Sequence, residues 1–150
     1  MNKLNHVAFI MDGNGRWGKK RNKGRNFGHY QGVETVKKIV SSSIKLNIPL
    51  ITIYVFSWEN WKRPKYEINY LFKLIKNYFS KEIKNIVNQG IKINIIGELN
   101  KLSSELKLIL KKTCLVTKNN KKITVNLAVN YGSKIEILKA FKKNKMVCSC

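Results

Sequence analysis

Two hydrophobic patterns alternate along this chain. Four short apolar runs are typical of buried strands, and they lie at residues 7–11, 50–56, 91–96 and 123–129. Between them, apolar residues recur at helical spacing, most regularly from Ile68 to Val87, and Gly90 ends that pattern. Because strand and helix patterns follow one another in turn, we predict an α/β fold with an open, mostly parallel sheet and helices on both faces.

The length of the chain and its apolar runs narrow the class of protein. With 150 residues, a hydrophobic fraction of 43% and no Pro- or Ser-rich linker, residues 1–150 are predicted to form one domain. The apolar run after Met1 is shorter than a signal peptide, and no run approaches the length of a membrane span. The three cysteines are an odd number, as is typical of a reducing compartment. We therefore expect a cytoplasmic protein.

A net charge of +22 bears on the choice of partner. It favours polyanions, which include nucleic acid, anionic lipid headgroups and phosphorylated small substrates. Lys, Asn and Ile are abundant throughout, so a coding bias that leaves most lysines merely solvated is the alternative. Peripheral contact with the inner face of an anionic membrane is compatible with either interpretation.

The rare residues gather in two segments that follow predicted strands. Asp12, the only aspartate, stands where the first apolar run ends. All arginines and tryptophans lie just after it or within residues 57–63, and they are Arg16, Arg21, Arg25, Arg63, Trp17, Trp58 and Trp61. Because ligands of open α/β sheets bind beyond the carboxyl ends of the strands, we predict that these two segments form one site.

The first segment has the composition of an anion site. Its sequence GNGRWG at 13–18 formally matches the dinucleotide fingerprint, but the cations at 19–23 stand where that fold requires an apolar helix. The glycines of this predicted loop would instead let backbone N–H groups approach an anion. Arg16, Arg25 and His29 would add side-chain donors suited to a phosphate.

Asp12 allows two interpretations. Among so many cations its ionised form is favoured, and it could hold Mg²⁺ against a bound diphosphate. Alternatively it caps the end of the strand by accepting hydrogen bonds from turn amides, and Asn14 presents the same choice. With one aspartate, the chain cannot carry the paired aspartate-rich motifs of metal-cluster prenyl or phosphoryl transferases. It also has no phosphate-loop sequence G-x-x-x-x-G-K-[ST].

The second segment, residues 57–64, also allows two interpretations. In one interpretation Ser57 caps a helix N-terminus while Trp58 and Trp61 pack in the core. In the other, the two tryptophans beside Arg63 form a pocket with an apolar wall and an anion clamp. We favour the pocket, because the segment follows the carboxyl end of a predicted strand.

These motifs resemble, in order and over nearly the whole chain, those of the cis-prenyltransferases, the undecaprenyl diphosphate synthase family. The resemblance rests on HVAFIMDGNGRW at 6–17, Arg25 with FGH at 27–29, FSWENWKRP at 56–64 and NYG at 130–132. It implies an Mg²⁺-dependent enzyme that adds isopentenyl diphosphate to an allylic diphosphate such as farnesyl diphosphate. The product would be a polyprenyl diphosphate with cis double bonds, in bacteria the undecaprenyl carrier for cell-wall synthesis.

The resemblance also implies roles for individual residues. Asp12 matches the acid that binds Mg²⁺ and assists departure of the allylic diphosphate. Asn60 matches a residue assigned as proton acceptor, although a neutral amide is a poor base and could orient the substrate instead. The residues that match the diphosphate cradle or the second conserved segment are Gly13, Asn14, Gly15, Arg16, Trp17, Arg25, His29, Ser57, Trp58, Glu59, Trp61 and Arg63. Apolar residues of the long helix either line a tunnel for the growing chain or are ordinary core, and they are Ile68, Leu71, Phe72 and Ile75.

Family members continue beyond the point at which this chain ends. Their further segment carries arginines, a Ser-Asn pair and a glutamate that bind isopentenyl diphosphate and complete the Mg²⁺ site, and it forms the homodimer surface. We therefore expect a truncated member that keeps the allylic half-site and has weak or no activity alone. The alternatives are an inactive remnant and a basic nucleic-acid-binding domain, although clustered arginines and tryptophans speak against the latter. The terminal Cys148 and Cys150 have no assigned role.

Overall fold

The computed structural model of the chain describes residues 4–147 and shows four parallel strands in one sheet. The strands are β1 (Val7–Ile10), β2 (Leu50–Ser57), β3 (Ile91–Ile96) and β4 (Ile123–Tyr131), in the spatial order β1-β2-β4-β3. Each strand begins at the residue that the apolar pattern predicts. The predicted open, parallel α/β sheet is thus confirmed.

Within residues 4–147, five α-helices and one short 3-10 helix connect and follow these strands. They are α1 (Asn14–Lys20), α2 (Gly24–Lys45), the 3-10 helix Trp58–Lys62, α3 (Lys65–Asn88), α4 (Ser104–Thr117) and α5 (Ser133–Val147). The prediction of a long basic loop after β1 is wrong, because most of that segment is helical. Its helices escape the apolar pattern because glycines, at positions 15, 18, 28 and 32, occupy buried places where apolar side chains would signal a buried face.

The hydrophobic core lies on one face of the sheet. Ile51, Val125 and Ile93 are side by side in the register and are almost fully buried, and apolar side chains of α2, α3 and α4 join the same cluster. Helices α2, α3 and α4 therefore share one core with the sheet.

The opposite face of the sheet is partly polar. A chain of hydrogen bonds runs across the sheet there, from His6, just before β1, through Thr52 on β2 and Asn126 on β4 to Asn94 on β3, with donor–acceptor distances of 2.8, 3.3 and 3.2 Å. The alternation of these residues with the core residues explains the one-sided packing, because only one set of alternate positions is strongly apolar.

Helices α1 and α2 pack through their backbones. A Cβ atom on Gly28 would lie 1.9 Å from the carbonyl oxygen of Asn14, and one on Gly18 would lie 2.2 Å from that of Gly24. Both distances are far below van der Waals contact, so only glycine fits at these two positions. The contact brings the start of α1 against the first half of α2.

Cys114 is the cysteine that lies within the described residues. It is half-buried on α4 and packs against the core, and burial raises the pKa of its thiol. Cys148 and Cys150 lie outside the described residues. Within residues 4–147, no helix has the length and apolar character required to cross a bilayer.

We predict that Gly28→Ala lowers the free energy of unfolding by about 2–3 kcal/mol, because the added methyl group forces α1 and α2 apart. Urea denaturation followed by circular dichroism measures this change. Gly24→Asn is the matched control, since a Cβ at Gly24 meets no atom within 4 Å and asparagine tolerates its φ of +72°. A Gly28→Ala protein as stable as the control would contradict the proposed backbone contact.

Candidate active site

A pocket opens where β1 and β2 end, between α2 and α3. Nine of the predicted site residues line it, and they are Asp12, Gly13, Asn14, Gly15, Arg16, Arg25, His29, Asn60 and Arg63. Its other part is apolar, lined by Val33, Val36, Leu71, Leu74 and Ile75. A pocket with a cationic end and an apolar end suits an amphiphilic anion.

The cationic end is organised by a residue that the sequence analysis did not single out. Glu67, in the first turn of α3, is 1% exposed. Its carboxylate accepts hydrogen bonds from Arg25 Nε at 2.8 Å and His29 Nε2 at 3.0 Å, and it lies 3.4 Å from Arg63 Nη1. Two donors come from α2, while Arg63 stands just before α3. One buried anion therefore holds three pocket residues in place.

The protonation states of this cluster follow from its geometry. Burial lowers the pKa of His29 below its ordinary value of 6.5, against the opposing hydrogen bond to Glu67. Because the ionised carboxylate of Glu67 can only accept, Nε2 of His29 carries the hydrogen. Burial alone would raise the pKa of Glu67, but the hydrogen bonds from Arg25 and His29 outweigh it and leave this pKa below its ordinary value.

Asp12 stands at the mouth of the pocket rather than inside it. Its carboxylate accepts from the backbone N–H of Gly13 at 2.6 Å and pairs with Arg16 at 3.1 Å, and its side chain is 66% exposed. The capping interpretation of Asp12 is thus seen directly. No group of three or more acidic, His or Cys side chains within the described residues could hold a metal, so any ion at Asp12 would need further ligands from a substrate.

The second segment divides between the two interpretations. Trp61 packs edge-on against Phe56 and Phe72 at centroid distances of 5.4 and 5.6 Å, as the core interpretation predicts. Asn60 and Arg63, on either side of it, line the pocket, as the clamp interpretation predicts. The side chain of Asn60 also accepts from the backbone N–H of Ser57 at 3.1 Å, which closes the turn between β2 and the 3-10 helix.

Five predicted site residues do not line the pocket, and they are Trp17, Ser57, Trp58, Glu59 and Trp61. Trp17 stacks on Phe27 at 6.0 Å, with the guanidinium of Arg21 4.0 Å above its ring. Because consecutive residues of a helix point about 100° apart, Arg16 can face the pocket while Trp17 lies on the outer surface of α1. Trp58 lies 3.8 Å below the ammonium group of Lys101.

One signal for Glu67 was present in the sequence. It follows Arg63 by four residues, a spacing at which opposite charges can pair on a helix. The signal is weak, because an acid in the first turn of a helix is common for its interaction with the helix dipole alone.

Comparisons with known proteins agree with this fold and identify a family. Residues 10–149 match the protein-family model described as "Putative undecaprenyl diphosphate synthase". The isoprenyl transferase of Prochlorococcus marinus subsp. pastoris is 46% identical over 138 residues, which are 92% of this chain and 51% of that protein.

Two solved structures have the same fold. Lavandulyl diphosphate synthase from Lavandula x intermedia, in complex with dimethylallyl diphosphate, has a TM-score of 0.90 at 32% identity, over 95% of this chain and 61% of that chain. A probable undecaprenyl diphosphate synthase from Campylobacter jejuni has a TM-score of 0.77 at 31% identity, over 95% and 62%.

The relatives define an enzyme class, the prenyltransferases. Within it, this chain belongs to the undecaprenyl diphosphate synthase family. The chain spans about half the length of the curated relatives it matches, 51% and 54% for two of them.

We predict that Glu67→Gln lowers the free energy of unfolding by about 2–3 kcal/mol, because it removes the charge that three buried or half-buried donors share. Urea denaturation at pH 7.5, above the ordinary pKa of His29, measures the loss. The control is Glu82→Gln, on the same helix as Glu67. It breaks a surface pair with Lys37 of α2 and should cost less than about 1 kcal/mol. Equal losses in the two variants would contradict the organising role of Glu67.

We also predict that the fold loses stability in acid. The pKa values of His29 and Glu67 are both lowered on folding, so the unfolded chain binds more protons as the pH falls. The contribution of His29 to stability is complete above about pH 6.5 and is lost as the pH falls below that value. The contribution of Glu67 is complete above about pH 4.5 and is lost in the same way below it. Urea midpoints measured from pH 7.5 to 3.5 should decline, and the decline below 4.5 should be smaller in Glu67→Gln than in the wild type. A parallel decline would assign the acid sensitivity to other groups.

Proposed function

We propose that this chain forms the allylic diphosphate site of a cis-prenyltransferase. The observation that carries the proposal is one pocket in which Arg25 and Arg63, held by Glu67, stand at one end of an apolar lining. Guanidinium groups bind phosphate oxygens in pairs, and the apolar part suits a hydrocarbon chain. An allylic diphosphate has both parts in one molecule.

The cationic end of the pocket supports the chemistry as well as the binding. In prenyl transfer the bond between the allylic carbon and the diphosphate oxygen breaks, and negative charge develops on the leaving diphosphate. Fixed positive donors stabilise this charge without rearranging, since Glu67 already orients them. Asn60, an uncharged amide in the same pocket, is suited to orienting the substrate by hydrogen bonds.

Mg²⁺ fits the proposed site in one way. A single carboxylate, Asp12, is available at the pocket mouth, and Mg²⁺ is commonly bound by one or two carboxylates together with substrate phosphates and water. When bound, the ion would neutralise part of the charge on the departing diphosphate. Asp12 would have to exchange its contact with Arg16 for the ion, while Arg16 turns to the phosphate.

A solved relative supports the class of substrate. Lavandulyl diphosphate synthase was crystallised with dimethylallyl diphosphate, which is itself an allylic diphosphate. Isopentenyl diphosphate as second substrate, an undecaprenyl-length product, homodimerisation and a cytoplasmic location close to the inner membrane face are proposals drawn from the family. Because the match covers about half of the relatives, substrate binding and full condensation are tested separately.

Three of the four arginines provide a matched set for the binding test. Arg25→Gln and Arg63→Gln should each weaken dimethylallyl diphosphate binding about 10- to 100-fold, because each removes a charge-assisted contact. Arg21→Gln should change the affinity less than about twofold, since Arg21 lies over Trp17, outside the pocket. Isothermal titration calorimetry measures all three, and an equal loss for Arg21→Gln would indicate unspecific attraction by the net charge.

The role of Asp12 is tested by metal dependence. Addition of Mg²⁺ should strengthen dimethylallyl diphosphate binding to the wild type about tenfold or more, and Asp12→Asn should remove most of this gain. Titrations in the presence of Mg²⁺ and in the presence of EDTA separate the affinity for the diphosphate alone from the gain that the ion provides. Glu105→Gln, a surface carboxylate paired with Lys76, should keep the full gain. If Asp12→Asn also keeps it, Asp12 is a capping residue only.

Full condensation is tested with radiolabelled isopentenyl diphosphate, farnesyl diphosphate and Mg²⁺. We expect little or no polyprenyl product from residues 1–150 alone, together with measurable binding of the allylic substrate. Robust long-chain product would show that these residues suffice for the reaction. Failure to bind any allylic diphosphate would contradict the proposed function itself.

A further inference from the structure

Asn130 is the most enclosed polar side chain near the pocket that the proposed mechanism leaves without a role. It is 1% exposed, and it lies at the end of β4 with a left-handed φ of +51°. Its Oδ1 accepts a hydrogen bond from the indole Nε1 of Trp61 at 2.7 Å, and its Nδ2 donates to the carbonyl oxygen of Glu98 at 2.7 Å. The backbone of Glu98 also donates to the carbonyl of Asn130 at 3.3 Å.

The amide of Asn130 serves both partners. The indole N–H of Trp61 can only donate and the carbonyl of Glu98 can only accept, so the side chain between them must present one acceptor and one donor. Asparagine also tolerates the left-handed backbone better than most residues do. Position 130 thus meets a steric and a hydrogen-bonding requirement at once.

Trp61 is the link between Asn130 and the pocket. Its ring is fixed against Phe56 and Phe72, and its indole nitrogen is fixed by Asn130. The pocket residues Asn60 and Arg63 stand immediately before it and two residues after it. Trp61 is the fourth of five residues in this 3-10 helix, so a shift of its side chain must move its neighbours as well.

We propose that Asn130 is a positioning residue for the diphosphate pocket, which it serves by fixing Trp61 and thereby the placement of Asn60 and Arg63. The proposal rests on the proposed function, since it assigns the pocket to an allylic diphosphate. It links the motif NYG at 130–132 to the second segment, residues 57–64. The two linked residues, Trp61 and Asn130, are 69 residues apart in the sequence.

Two variants remove the link from opposite sides. Asn130→Gly deletes both side-chain bonds while it keeps the left-handed backbone, and Trp61→Phe deletes only the indole donor. Each should weaken dimethylallyl diphosphate binding by about tenfold, the order expected for one misplaced charged contact. The double variant should bind dimethylallyl diphosphate no less tightly than the single variant with the lower affinity, because both changes break the same link.

The matched control is Asn126→Gly. It removes an amide from the same strand, where the side chain bridges Thr52 and Asn94 on the polar face of the sheet. It should lower stability and leave the diphosphate affinity within about twofold of the wild type. A general loss of folding would instead affect both asparagine variants alike.

A spectroscopic measurement reads the link without any substrate. In protein labelled with ¹⁵N-tryptophan, the indole N–H resonance of Trp61 should move in Asn130→Gly and stay in place in Asn126→Gly. The proposal would be overturned by any of three results. These are an unchanged resonance in Asn130→Gly, wild-type affinity in Asn130→Gly or Trp61→Phe, and additive losses of affinity in the double variant. If Asn130→Gly fails to fold, the affinity of Trp61→Phe decides. If the wild type binds no diphosphate, the proposed function fails, while the resonance still tests whether Asn130 fixes Trp61.

Discussion

The arrangement of the site depends on one buried carboxylate. Arg25, His29 and Arg63 would not stay close together by themselves, because the two guanidinium groups repel and the imidazole is partly desolvated. Glu67 makes their approach favourable, and their hydrogen bonds in turn compensate the cost of burying its charge. The same contact joins α2 to α3 beside the sheet. Stability and function therefore draw on one interaction in this part of the fold.

The pocket is supported from two directions. Glu67 fixes the cations from the side of α3, and Asn130 at the end of β4 fixes the short 3-10 helix through Trp61. Neither support lines the pocket. What lines it is a set of donors at one end and branched apolar side chains at the other, so an amphiphilic substrate can bind in only one direction. Orientation of the substrate thus follows from the shape of the pocket, before any reaction takes place.

The sequence predicts the sheet well and the surroundings of the pocket less well. The strands are apolar runs in a parallel sheet, which is why their starting residues could be read from the pattern. The first half of α2 was missed because glycines replace its apolar signal. Trp17 was assigned to the site because it belongs to the same family motif as Arg16, although neighbours on a helix point in different directions. Glu67 was missed because its closest partner, Arg25, is 42 residues away.

The glycine contact between α1 and α2 has a consequence for the order in which the site can form. Gly18 and Gly28 are ten residues apart, so their approach closes a short loop and loses little chain entropy. The bonds from Arg25 to Glu67 and from Trp61 to Asn130 span 42 and 69 residues and close much longer loops. The start of α1, which lines the pocket, and Arg25 and His29 on α2 can therefore come together as a local helical hairpin. The remaining cation and its supports join only when distant parts of the chain meet.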